Sequence, residues 1–282
     1  MQNPKITLAS IFTISILLSH NAIADGLSDL KSALERLNGS GPITAYYETQ
    51  FLEVSDADDK DDRKENSGLV KVQLTDSEQG LQVTYSQEVM NKIEAESMQK
   101  NLDEETDTPT LNAVRDINAT RMRDLLSAGQ SLQRRIAKAE FVSEEQQNIE
   151  GRPARLLTFN LPLDAIIDDK KTREYVSKFE GKYSILIDSS GVPLESKTKF
   201  NGKGRAFVIL SVKANSSNYN RYQIINNRLV RVQNEYQREF SSTFGDNSET
   251  GNSTLIVDQA QPEIELAFTP QFKRPLATFK SN

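Results

Sequence analysis

Five aspartates crowd one short stretch, at Asp56, Asp58, Asp59, Asp61 and Asp62, and clustered carboxylates are what a calcium loop needs. Counted from Asp56, however, the EF-hand template meets Lys60 at position 5, Asp61 instead of glycine at 6 and Ser67 instead of glutamate at 12. The cluster reads better as a solvated hairpin tip. Asp164, Asp168, Asp169 and Glu174 could supply a carboxylate pair for glycosidic chemistry. They are close neighbours at an expected helix start, where acids are favoured by the helix dipole without any reaction to serve. Asn201-Gly202-Lys203-Gly204-Arg205 combines glycines with cations but lacks the spacing of a phosphate loop, so it is expected to be a hairpin turn. Arg121, Arg123, Arg134 and Arg135 make one region locally basic and are candidates for contact with a protein partner.

Equally informative is what the chain lacks. It has no cysteine and no tryptophan, and its one histidine is His20. Lys5 is the only charge before Asp25, the run from Ile6 to Ser19 is apolar, and Ala22-Ile23-Ala24 gives a small-x-small cleavage pattern. Residues 1–24 are therefore expected to be a secretory signal peptide cut between Ala24 and Asp25, leading through the Sec pathway to a Gram-negative periplasm. Its removal takes His20 with it. Serine–histidine and cysteine–histidine catalysis, thiolate or imidazole metal sites and disulfides then all drop out. The expectation is a protein that is not an enzyme and uses no cofactor and no metal. The net charge of −6 argues against nucleic acid as a partner. No later segment has the apolar length of a membrane-spanning helix, so the protein is not expected to be integral to a membrane.

Periodicity supplies the elements that must position any site. Leu27, Leu30, Leu34 and Leu37 recur at helical spacing, with Ser28 as the expected cap and Gly39 as the stop. From Ile43 the period becomes two. Ala45, Tyr47 and Phe51 share a face, and Val70, Val72 and Leu74, then Leu81, Val83 and Tyr85, repeat the pattern on either side of a turn. Residues 88–136 lose this alternation and read as a helical insertion: one helix to about Leu102, and a second starting at Pro109 with Gly129 as a possible break. Strands resume as a hairpin about Glu150-Gly151. Leu163–Ser177 is expected to be helical, and a meander follows with turns at Asp188–Pro193, Asn201–Gly204 and Asn226-Asn227. Gly245–Ser253 is polar and glycine-containing, which makes 245–282 an expected flexible link and tail. The fold class is α+β: an incomplete barrel of about nine or ten antiparallel strands over 25–244, with helices on or in the concave face of the curved sheet.

Apolar residues on such strands either fill a core or line a cavity. Tyr47, Phe51, Val72, Tyr85, Phe159, Ile185, Phe200, Val232 and Tyr236 are the candidate cavity lining. The layout also resembles the LolA/LolB-like superfamily of periplasmic lipoprotein carriers. The resemblance lies in the Leu-rich helix Leu27–Leu37, the aromatic strand from Ala45 to Phe51, the strand from Gly68 to Val72 and the Asp188–Pro193 turn entering a meander, and it spans about residues 27–240. It implies an open antiparallel barrel whose hydrophobic cavity holds a lipid or a lipoprotein acyl chain. The resulting expectation is a periplasmic carrier or binding protein for a lipid-like ligand. The alternative is an accessory or regulatory envelope protein that acts by docking on another protein.

Overall fold

The computed structural model describes residues 25–57, 63–206 and 210–257. The expected signal peptide, four of the five clustered aspartates and residues 258–282 lie outside the described residues.

The first helix, α1 (Gly26–Arg36), starts three residues earlier than a Ser28 cap would allow. Asp25, not Ser28, is the cap, and its carboxylate accepts from the backbone N–H of Leu27. Leu30, Ala33 and Leu34 form its buried stripe.

Three strands follow: β1 (Ile43–Ala57), β2 (Arg63–Ser77) and β3 (Gly80–Thr84). The alternating burial of Val70, Val72 and Leu74 matches their period of two. On either side of the expected hairpin tip the described residues are strand: Arg63 to Asn66 pair with Asp56 to Glu53.

The insertion contains not two helices but four: α2 (Gln87–Leu102), α3 (Pro109–Arg115), α4 (Ala119–Leu126) and α5 (Ala128–Lys138). Two breaks split the expected long helix, and a side-chain cap makes one of them. Asn118 accepts from Arg121 N–H to start α4, and Ser127, lying between α4 and α5, has non-helical torsions. A glutamate on α2 joins the pieces, since Glu96 accepts from the N–H groups of Thr110 and Leu111 at 3.1 and 2.9 Å and caps α3.

Then come β4 (Glu140–Ile149), β5 (Arg152–Asn160), the five-residue helix α6 (Lys170–Glu174), β6 (Val176–Asp188), β7 (Pro193–Ala206), β8 (Leu210–Ile225), β9 (Arg228–Ser242) and β10 (Gly245–Val257). The turn assignments at Glu150-Gly151 and Asn226-Asn227 hold: all four residues have positive φ, as a two-residue hairpin turn requires. The Asp188 carboxylate accepts from the N–H groups of Ser190 and Val192 and locks the β6–β7 turn. Three expectations need correction. Asn201–Gly204 is not a turn but lies inside β7, paired on both sides. Leu163–Ser177 holds only a 3-10 turn and α6, because Val176 already pairs with Gly204. Gly245–Val257 is not a link but β10, which lies in the middle of the sheet between β1 and β9.

All ten strands form a single antiparallel sheet in the order β3-β2-β1-β10-β9-β8-β7-β6-β5-β4. Among the described residues β3 and β4 are the edges, the curved sheet does not close, and helices cover its concave face. Two apolar clusters lie under them. One joins β1, β2, β9 and β10 to α3 and α4 through Tyr47, Val72, Leu74, Ala113, Met122 and Leu125. The other joins β5 and β6 to α1 and α5 through Leu30, Leu34, Leu132, Ile136, Phe159 and Ile185.

Candidate ligand cavity

Between the two clusters the concave face turns polar. Period two along β7 and β8 sets Ser196, Thr198 and Phe200 beside Ser216, Asn218, Asn220 and Tyr222, and these line a cavity of 260 Å³. The helix side contributes Ala128, Ser131, Leu132 and Arg135 from α5, with Asp124 from α4. β9 contributes Arg231 and Arg238.

A β-bulge places Arg231 there. The β8–β9 register steps from Arg221↔Gln233 to Tyr222↔Arg231, which leaves Val232 with no residue opposite and sets Arg231 beside Tyr222. Strict alternation from Val230 to Tyr236 would have sent an arginine at this position to the other face, so the sequence pattern gave no sign of it.

Hydrogen bonds organise the cavity floor. Asn220 donates to Ser196 Oγ and to Asn218 Oδ1, and Asn234 donates to Asn220 Oδ1. Ser196 and Tyr222 share a hydrogen bond of 2.8 Å. From above, Arg135 donates to Thr198 Oγ1 at 2.9 Å, and its guanidinium lies 5.5 Å from the centre of the Tyr183 ring. Burial pushes the Tyr183 and Tyr222 phenols up from their ordinary range, so both stay neutral donors at any physiological pH. At the cavity's other end Arg238 pairs with Glu249 at 3.0 Å, and Tyr236 donates to the same carboxylate at 2.6 Å.

The nine residues expected to line a single apolar hollow are divided among three places. Tyr47, Phe51 and Val72 are buried in the first cluster, with Tyr85, Val232 and Tyr236 packed against it. Phe159 and Ile185 belong to the second cluster. Phe200 alone among the nine lines the central cavity. Helix side chains fill the space over the apolar strand faces, and the room that remains is lined mostly by hydroxyl, amide and guanidinium groups. Its volume lies below the roughly 300–1,000 Å³ of a site that engulfs a drug-sized ligand. It suits a compact polar group. A separate groove opens at the sheet edge, where Leu27, Leu34, Ile136, Ala139, Phe141 and Phe159 converge beside Lys31, Glu35 and Gln133.

Among the described residues, no set of three or more acidic, histidine or cysteine side chains is grouped to hold a metal ion. No helix among them is long and apolar enough to cross a membrane. Asp164, Asp168 and Asp169 stay on the connection around α6, where Asp169 caps that helix through Thr172 N–H. No family model matches the chain, and neither the curated proteins nor the solved structures give a match to it.

Proposed function

We propose that this chain is a non-enzymatic binding or carrier protein of the cell envelope for a lipid-like or acylated ligand, whose polar end sits in the cavity under α5. The observation that carries the reading is that partly open polar cavity on the concave face, flanked by two apolar clusters. An amphipathic ligand matches such a surface, with polar groups fixing its orientation and apolar walls on either side. The secretory pattern at residues 1–24 supports export, and the open sheet with helices over its concave face agrees with the layout of the LolA/LolB-like carriers.

The apolar clusters are occupied by side chains of α3, α4 and α5, so an acyl chain reaches them only when a helix moves aside. That supplies the test. Purified protein should release lipid on organic extraction, and its native mass should show the corresponding adduct. Adding a short-chain phospholipid should raise hydrogen exchange in α4 and α5. Protein that carries no lipid and binds no added amphiphile would overturn the reading.

The groove at the β4 edge favours a second reading, an accessory protein that docks on another envelope protein. Phe141 and Val142 are both exposed on this edge strand. A stoichiometric protein partner recovered without lipid, and lost on Phe141→Glu, would support docking over carriage.

A further inference from the structure

We infer that the cavity under α5 is a site for a phosphate-bearing group, held between Arg135 on the helix and Arg231 on the sheet. This rests on the binding reading above and adds the chemistry of the ligand's polar end.

The contrast with the protein's other sheltered arginines carries the inference. Arg228 is buried and fully engaged: it pairs with Asp76 at 2.6 Å and donates to Leu126 O, Gly41 O and Ser127 Oγ. Arg155 is buried and engaged likewise, with Asp29 at 2.8 Å and Glu144 at 3.7 Å. Arg231 is different. Its Nε is shut off from solvent with no hydrogen-bond acceptor, and no carboxylate lies within ion-pair distance among the described residues. A sheltered guanidinium N–H without a partner is costly, whereas a bound oxyanion would satisfy it.

Arg135 faces the same cavity, also without a carboxylate partner among the described residues. The two carboxylates nearby are committed elsewhere. Asp124 pairs with Arg134 at 3.0 Å, and Glu249 pairs with Arg238. The cavity therefore holds two guanidinium charges without compensating carboxylates, among the hydroxyls of Ser131, Ser196 and Ser216 and the amides of Asn218 and Asn220. Planar guanidinium forks match the geometry of phosphate oxygens, and hydroxyl and amide donors complete such a site.

Whether the phosphate arrives free or on a lipid is decided by titrating the full chain with glycerol phosphate, with short-chain phosphatidic acid and with the matching neutral diacylglycerol. Phosphatidic acid should bind about ten-fold or more tightly than diacylglycerol, the factor expected for losing one charge-assisted hydrogen bond. Equal affinity for phosphatidic acid and glycerol phosphate would indicate a free phosphate ester. Tighter binding of the lipid would indicate a head group. R231Q and R135Q should each weaken phosphate binding by about the same factor. R152Q, which removes an exposed charge outside the cavity lining, should leave binding unchanged. Should R231Q fail to fold, R231K keeps the charge but not the fork and should still weaken binding. Equal binding of phosphatidic acid and diacylglycerol, unaffected by R135Q, would overturn the phosphate site while leaving a lipid-binding protein. Binding of none of the three would remove both.

Discussion

The ring of Phe51 occupies the space that a side chain on Gly68 would need, and Gly68 is the residue directly opposite it on β2. The row continues across the sheet: Phe51 is opposite Gly251 on β10, which in turn lies under the Tyr236 ring on β9. Each large ring thus covers a glycine on a neighbouring strand, and the sheet can curve there without overcrowding its concave face. A methyl group at 68 would collide with the Phe51 ring, and one at 251 would come within 2.7 Å of the Tyr236 ring. Gly68→Ala and Gly251→Ala should each destabilise by about 1–3 kcal/mol, the usual cost of overpacking. Urea denaturation measures this. Adding Phe51→Leu to Gly68→Ala should restore part of the loss, and additive losses would show that the ring and the glycine are not coupled.

Arg228 ties four parts of the chain together. From the start of β9 it reaches Asp76 on β2, Gly41 before β1, and the α4–α5 junction through Leu126 O and Ser127. Arg228→Ala should cost about 3–5 kcal/mol, because it leaves buried carbonyls and a carboxylate without their donor. Asp76→Asn should cost less, since the guanidinium keeps three of its acceptors. The paired change Arg228→Met with Asp76→Leu should recover much of the loss. Thermal melts of the three variants check the ranking, and a double variant no better than Arg228→Ala would refute it.

Much of this fold was legible in the sequence wherever side chains alternated cleanly. Val70, Val72 and Leu74 announced β2, and Asn226-Asn227 announced a two-residue turn. β10 escaped because its place in the sheet calls for small and polar residues. Gly251 and Ser253 are buried under neighbouring rings and strands, so a central strand carries a linker's composition. Asn201–Gly204 misled in the same way, since glycines inside β7 look like a turn until the pairing on both sides is known. The cavity was hidden for a different reason. Its polar residues come from β7, β8 and β9 and from a helix distant in sequence, and Arg231 reaches it only through a bulge.

Alkaline pH should unfold the protein early. Burial holds the Tyr183 and Tyr222 phenols above their ordinary value of 10.0, and burial followed by the Glu249 hydrogen bond does the same for Tyr236. In the unfolded chain these groups release protons near pH 10, while in the folded protein they keep them. Above that point the unfolded state binds fewer protons, so stability is fully present below pH 10 and falls as pH rises beyond it. Phenolate absorbance and circular dichroism should therefore show these tyrosines ionising together with unfolding. Tyr236→Phe should flatten the alkaline slope by one proton. Ionisation of all eight tyrosines before any loss of structure would refute the argument.

Strand β10 provides the sharpest comparison, because its residues bond to neighbours on both sides. Asn252 is paired with Gln50 on β1 and with Glu235 on β9. Proline there removes a ladder donor and forces its ring between two strands, which central strands do not tolerate. Among the described residues, Gln82 on β3 is paired only with Thr75, at the edge of the sheet. Asn252→Pro should abolish cooperative folding, whereas Gln82→Pro should leave a cooperative transition at a lower midpoint. Circular dichroism melts of the two variants decide it. If Asn252→Pro melted like the parent protein, residues 245–257 would be the flexible link that their composition suggests, and β1 and β9 would have to meet without them.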